Sequence, residues 1–540
     1  MEAVDIALTV SLLLHARPMD EVHVMRKVVI DGSNTTGFQR TAIISLDGTI
    51  SVDGKEIPIQ QVSLEEDAGR KTGETKSTVT FRLDRLGVPL IEIATGAVIS
   101  DPEEAGKVAL AIGQILRATK QVKRGLGTIR QDLNVSIRDG ALVEIKGVQE
   151  LELVSKAVEL EVQRQTRLLQ IRDELRSRNV KPSDLSEDFH DLTLILSVSE
   201  SKIVQSALKQ GGAVQGVKLA GFAGFLKREL APGIRLGTEM AKRAGFWGRV
   251  GGVFHSDELP AYGITQAELE NVAEKLECRA NDAFVFIADA TENVKDGLKA
   301  VVERAREATV GVPEETRTAN PDGTTAYMRP RPGAARMYPE TDVPPVQISH
   351  ERVLRIEHSL PRMPEELAKE IGAKYALSPK LAVQLVNSEH FDAFPEIVAA
   401  AKEVAPSFIA TVLTESLRSL ARDQVPVQNL SDEHVKDVFR LVAEGMTAKE
   451  SVLEILKWLA AHPTEDAQTG LKELNLGMMA KTELASIISK VLDSNRSFVR
   501  ENGAKAFGKM MNLVMAEVRG RADPRLVNEL LKAELEQIRG

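Results

Sequence analysis

The sequence predicts a multidomain α+β protein: a β-rich region interrupted by a compact α+β unit, then a helical domain and a helical tail. Three observations predict this. The chain of 540 residues is longer than one hydrophobic core accommodates. Residues 24–99 alternate apolar and polar side chains between turn dipeptides, the period of strands. From about residue 350 the apolar positions recur almost wholly at helical spacing.

Composition narrows the class. The chain is 43% hydrophobic and 27% charged, as ordinary globular proteins are. Cys278 is the only cysteine, which excludes a disulfide framework and a cysteine-built zinc site and favours a reducing, cytoplasmic setting. The apolar run "VSLLL" at 10–14 is too short to span a bilayer. A formal charge of −9 argues against nucleic-acid binding over the whole surface, although a local basic patch is compatible with it.

Residues 1–16 read as an amphipathic helix whose broad apolar face needs a partner, as if the chain began inside a domain. In "TAIISLDGTISVDGKEIPI" the Asp-Gly pairs at 47–48 and 53–54 are turn signals. Ser100 and Glu103 have the spacing of a capping box, Pro102 suits a first turn, and Val108, Ile112, Ile115 and Leu116 continue a helix over 101–119. "GLGTIRQDLNVSIRDGALVEIKGV", 125–148, reads as a hairpin. A three-residue loop at 139–141 sets Ile137 against Val143, Val135 against Ile145, Ser136 against Glu144 and Asn134 against Lys146. One face is then apolar, and the other carries Asp132, Asn134, Ser136, Glu144 and Lys146, with Arg130 in the same parity. Residues 150–178 are a long helix. The expected divisions are 1–214, an inserted unit at 215–310, a return to the first region at 311–350, a helical domain at 351–430 and a tail at 431–540.

Two stretches raise the question of chemistry. "SLEEDAGRK" (63–71) sets Glu65, Glu66 and Asp67 side by side, and "RLGVPLIEIATG" (85–96) plants Glu92 in an apolar strand. A carboxylate buried there costs several kcal/mol unless paired or coordinated. Either an arginine pairs with it, or Glu92 together with Glu65 or Glu66 holds a hard cation such as Mg²⁺, which takes one or two carboxylates plus phosphates and water. On the polar hairpin face, Asn and Asp are poor strand formers. A merely solvated sheet face is one reading of it. The other is that Lys146 and Arg130 hold phosphate oxygens beside Asn134 and Ser136. No Walker loop, kinase signature or G-x-S-x-G elbow occurs, and the nine histidines show no metal-ligand spacing. Lys505, Lys509, Arg519, Arg521 and Arg525 gather near the end of the chain as a solvated face or a phosphate-contacting patch.

"LEEDAGRK", "DRLGVPLIEIATG", "DPEEA", "GTIRQDLNVSI", "VEIKGVQELELVSKAVELE" and "RMYPETDVPP" together resemble the GatB/GatE family of tRNA-dependent amidotransferase subunits, over essentially the whole chain. "IRQDLNVSI" followed by "EIKGVQEL", and an insertion similar to the GAD domain, point to the archaeal GatE branch; the end resembles a YqeY-like tail. The resemblance implies a catalytic cradle in which ATP phosphorylates the γ-carboxylate of Glu-tRNA(Gln) and ammonia then displaces phosphate. Ammonia would come from an asparaginase-like partner, GatD, in an assembly of two GatD and two GatE subunits with tRNA(Gln) and no membrane. Glu65 and Glu92 match positions that hold Mg²⁺. Arg130, Asp132, Asn134, Ser136 and Lys146 match the nucleotide side, and the basic tail would touch tRNA. The family's opening "GLEIHQQL"-like segment, which supplies a metal-site histidine, has no counterpart here. The alternative is therefore a tRNA-binding module with an incomplete catalytic core. A synthetase with a GAD insertion lacks support, because neither class I nor class II signatures occur.

Overall fold

The computed structural model describes residues 1–540 except 31, 76–77, 124–126, 332–336, 503–505, 519–520 and 540. The architecture is mixed α and β, in two compact units, Met1–Leu360 and Pro361–Gly540. Among the described residues no helix is long and apolar enough to cross a membrane.

The first unit opens with α1 (Glu2–Leu13), which lies on β1 (Val24–Val28), β2 (Phe38–Val52), β3 (Lys55–Glu66) and β4 (Pro89–Thr95), antiparallel neighbours in that order. Ala7 and Leu8 of α1 pack with Ala42 and Ile44 of β2, which is the partner that the apolar helix requires. Only the second Asp-Gly pair is a turn. Asp53 and Gly54 take positive φ (50° and 81°) and join Val52 to Lys55, as a two-residue hairpin demands. Asp47 and Gly48 lie inside β2. Gly48 is needed for proximity, since a Cβ there would stand 2.7 Å from the Leu14 carbonyl oxygen.

α2 (Pro102–Ala118) is capped by Asp101, one residue beyond the expected Ser100. The Asp101 carboxylate accepts the amide N–H of Glu103 (2.8 Å) and of Glu104 (3.1 Å), while Glu104 accepts the Ser100 N–H at 3.0 Å. The hairpin follows as β5 (Gln131–Val135) and β6 (Val143–Val148). Its register differs from expectation by two residues: Val143 opposes Val135, Glu144 opposes Asn134 and Ile145 opposes Leu133. The loop is correspondingly longer, with Ser136 and Ile137 outside the strand. A slip of two preserves parity, so the expected apolar and polar faces survive the wrong pairing.

α3 (Leu151–Ser177) then runs beneath the apolar face, where Val154 and Ala157 meet Val135, Val143, Ile145 and Val148. Its other half belongs to a second core. Leu168, Ile171 and Leu175 pack with β7 (Ala213–Leu219), α4 (Leu236–Gly248), β8 (Ala283–Asp289) and α5 (Thr291–Val310). β7 and β8 pair antiparallel from Ala213–Asp289 to Leu219–Ala283, flanked by the short strands His190–Asp191 and Phe254–His255. The chain returns as β9 (Glu315–Ala319), parallel to β6, and β10 (Thr325–Pro330), giving a four-stranded sheet in the order β10-β9-β6-β5. β11 (Met337–Pro339) then closes the first sheet against β1.

Between the two apolar halves of α3 sits a belt of buried charge. Arg164 bonds Glu161 (2.8 Å), Glu315 of β9 (2.6 Å) and Glu239 of α4; Arg304 of α5 bonds Glu239 at 2.7 Å. Arg243 joins Glu307 to Glu315, both at 2.8 Å, and Arg317 reaches Glu315 and Glu239. Burial alone would raise the Glu239 carboxyl, but Arg164, Arg317 and Arg304 hold it well below the usual range. Four elements are thus tied at one point, and loss of any partner strands a buried charge.

The second unit is helical. One apolar cluster runs from Ala368 to Leu476 and another from Leu484 to Leu535. In the latter, Leu484, Ile488 and Leu492, then Met510, Val514 and Val518, then Val527, Leu531 and Leu535 repeat every fourth position on three helices, the stripe of a small bundle.

Candidate functional site

The first sheet, β1 to β4, and the sheet β10-β9-β6-β5 contribute walls of a cavity of about 1690 Å³. Glu65, Glu92, Arg130, Asp132, Asn134, Ser136 and Lys146 all line it.

On the first wall, Ser63 opposes Glu92 and Glu65 opposes Leu90, so the two glutamates are diagonal neighbours on one face. Glu65 is nearly buried and is held by the Lys27 ammonium at 2.6 Å, with Gln39 donating at 3.3 Å. Glu92 corrects the expectation of a dry side chain: it is exposed to the cavity. It makes no hydrogen bond or ion pair among the described residues, so the arginine pair weighed for it is not formed. Enclosure by the walls pushes its carboxyl up, and the Glu65 charge adds to this, while Lys27 and Lys146 oppose it. Glu66 points to the other side of the strand, where Arg40 holds it at 3.1 Å. Of the two acids considered as a companion to Glu92, Glu65 therefore faces the cavity with it. Asp67 lies between Arg85 (3.0 Å) and Arg130 (2.9 Å), so Arg130 spans to the triple-acid stretch.

On the second wall, Lys146 bonds Asp132 at 2.6 Å and Glu144 at 2.8 Å. Burial would lower the Lys146 ammonium, but those two carboxylates raise it, so the lysine stays charged. The Thr316 hydroxyl of β9 donates to Glu144 at 2.8 Å. Asn134 and Ser136 make no side-chain hydrogen bond among the described residues, which leaves their polar atoms for a ligand. Lys27 and Arg329 also line the cavity and escaped the sequence reading. Lys27 stands on β1 and reaches Glu65 of β3 across the intervening β2, so its role depends on the sheet order; Arg329 likewise had no signal in the sequence.

Among the described residues no cluster of three or more His, Cys, Asp or Glu is placed to hold a metal ion by itself. The pair Glu65 and Glu92 nevertheless suits Mg²⁺, which is commonly bound by one or two carboxylates with phosphate and water completing its shell. The unpartnered Glu92 carboxylate beside a second acid is the feature that fits. The cavity can thus bring a divalent cation and a polyphosphate between an acidic wall and a wall of charged and polar donors.

In the second unit, Lys505 and Arg519 lie outside the described residues. The Lys509 ammonium sits 4.0 Å from the centre of the Phe498 ring. Arg521 bonds Glu483 and the Gly477 carbonyl, each at 3.4 Å, and Arg525 is exposed. Arg521 is therefore partly committed within the fold.

A family model described as the GatB/GatE catalytic domain matches residues 1–354, and one described as a GatB domain matches 392–535. Among curated relatives, the E subunit of the glutamyl-tRNA(Gln) amidotransferase of Thermococcus gammatolerans is 49% identical over 537 residues, 99% of this chain and 85% of that protein. Its counterpart of the same name in Pyrococcus abyssi is 48% identical over 539 residues, covering 100% and 84%. That of Methanocaldococcus jannaschii is 46% identical over 538 residues, covering 99% and 85%.

Proposed function

The chain belongs to the GatB/GatE family, and on that ground we propose that it is the subunit of a tRNA-dependent amidotransferase that converts Glu-tRNA(Gln) to Gln-tRNA(Gln) at the expense of ATP. The observation that carries the reading is the pair Glu65 and Glu92 on one wall of the cavity, facing Lys146, Asn134 and Ser136 on the other.

A carboxylate is a poor electrophile, so amidation needs a leaving group. A γ-carboxylate oxygen of the glutamyl group attacks the terminal phosphorus of ATP, the bond to ADP breaks, and an acyl phosphate forms. Ammonia then adds to the acyl carbon, phosphate departs with the electrons of the C–O bond, and the nitrogen loses a proton. Phosphoryl transfer asks chiefly for positioning and charge neutralisation. Mg²⁺, held by Glu65 and Glu92, would neutralise phosphate charge. Lys27 keeps Glu65 in place. Lys146, itself fixed by Asp132 and Glu144, presents an ammonium to phosphate oxygens, and Asn134 and Ser136 orient them. Arg130, tied to Asp67, keeps the two walls in register. Ammonia is supplied by an asparaginase-like partner, GatD. The insertion, read as GAD-like, selects the tRNA, and the YqeY-like tail contacts its body through Lys509, Arg521 and Arg525.

The test is to incubate the purified chain with Glu-tRNA(Gln), ATP, Mg²⁺ and ammonium chloride and to measure Gln-tRNA(Gln). Free ammonia removes the need for the partner. Product that requires ATP and falls about 100-fold in Glu92→Gln supports the reading; ATP-independent product, or full activity in the variant, overturns it.

A further inference from the structure

We propose that Arg329 is a phosphate-binding residue of this cavity and takes an oxygen of the nucleotide's polyphosphate, an assignment that rests on the amidotransferase reading above. No sequence motif marks it; its position in the sheet does.

Strand pairing aligns Asn134 with Glu144, Glu144 with Thr316, and Thr316 with Arg329. The four residues form one transverse row across all four strands, on the face that carries Lys146. Arg329 reaches that face because of a bulge. Thr316 pairs with Arg329 but Arg317 pairs with Tyr327, which leaves Met328 as an extra residue in β10. Tyr327 lies on the opposite side, with the Arg243 guanidinium 4.6 Å from its ring centre and Phe246 edge-on at 5.5 Å. In an unbroken strand Arg329, two residues on, would share that side with Tyr327. The bulge re-aims it into the cavity, a use that bulges commonly have beside active sites.

The guanidinium also holds no hydrogen bond, although its charge helps to lower the Glu144 carboxyl. Its Nε is buried without a hydrogen-bond partner. Among the described residues it makes no hydrogen bond or ion pair, and the Thr316 hydroxyl beside it donates to Glu144 instead. Lys27, Arg130 and Lys146 are each taken by a carboxylate. A buried N–H with nothing to bind is rare and calls for a partner. An arginine's planar fork fits phosphate oxygens in two-point contact, which an ammonium cannot reproduce.

The experiment measures, for the full chain and for Arg329→Ala, Arg329→Gln and Arg329→Lys, the Kd for Mg·ATP by calorimetry and the KM for ATP and for Glu-tRNA(Gln) with ammonium as the nitrogen source. The expected result is ATP binding weakened about tenfold or more in Ala and Gln and partly restored in Lys, with the KM for Glu-tRNA(Gln) unchanged. Melting temperatures accompany every variant, and if Ala fails to fold, the contrast between Gln and Lys decides. Unchanged ATP affinity in folded Ala or Gln overturns the assignment. So does weakening confined to Glu-tRNA(Gln), which would place the guanidinium on the acceptor end of the tRNA. Failure of the unmodified chain to bind ATP would instead overturn the reading on which the assignment rests.

Discussion

Glu65 and Glu92 are the same residue type on adjacent strands, yet their surroundings give them opposite dependence on their neighbours. Glu65 is nearly buried and relies on Lys27 at 2.6 Å, whereas Glu92 has no partner among the described residues and sits near the charge of Glu65. Lys27→Met should therefore destabilise the first unit by about 1–3 kcal/mol, the cost of leaving a buried carboxylate with only the long Gln39 hydrogen bond. Glu92→Gln should leave the melting temperature unchanged or slightly raised, because it removes a charge that the fold does not use. Thermal unfolding of the two variants side by side checks this. A large loss in Glu92→Gln would mean that its carboxylate is structural.

At the scale of elements, caps and bulges decide where side chains begin and where they point. α2 starts on Asp101, so Asp101→Ala should cost about 1 kcal/mol by denaturant unfolding, while Ser100→Ala should cost little, since Ser100 contributes only its backbone N–H. The alternation in β5 and β6 makes the two faces of the hairpin legible from sequence even though the register that it predicts is two residues from the observed one. Apolar patterning specifies parity, and a slip of two does not alter parity. The loop length was not legible, because Ser136 and Ile137 continue the alternation past the point where pairing stops. The bulge at Met328 left no trace at all: a bulge is one unpaired residue, and period-two counting across it assigns every later side chain to the wrong face. Glu92 was legible as an anomaly but not as an exposed group, because exposure depends on a second sheet standing away from the first across the cavity.

Over the first unit as a whole, the belt of Arg164, Arg243, Arg304 and Arg317 with the buried Glu161, Glu239 and Glu315 and the half-buried Glu307 contributes to the response to acid. Glu239 and Glu315 are held below the ordinary carboxyl value of 4.5, so their contribution is complete above that pH and is lost only as pH falls through their depressed folded values. Glu239→Gln should cost about 3–5 kcal/mol at pH 7, since it leaves arginines buried without their charge. Melting measured from pH 7 to pH 3 should show that gap constant down to about 4.5 and narrowing below it. A gap that closes between pH 7 and pH 5 would contradict the assignment. Nothing in the sequence announced this belt, because its members come from four separated segments and each alone resembles a surface charge.

The parallel pairing of β6 with β9 has a consequence for how the chain is born. Glu144 and Thr316 are 172 positions apart. At a synthesis rate of roughly 5–20 residues per second, β6 waits on the order of 10–30 s at the ribosome with one edge unclaimed. An open edge invites pairing with the wrong strand, and charged side chains are a common deterrent. Glu144 and Lys146 stand on that edge. The lysine proposed for nucleotide chemistry in the finished protein, with the glutamate that fixes it, would thus also discourage mispairing of the nascent sheet until its rightful neighbour emerges.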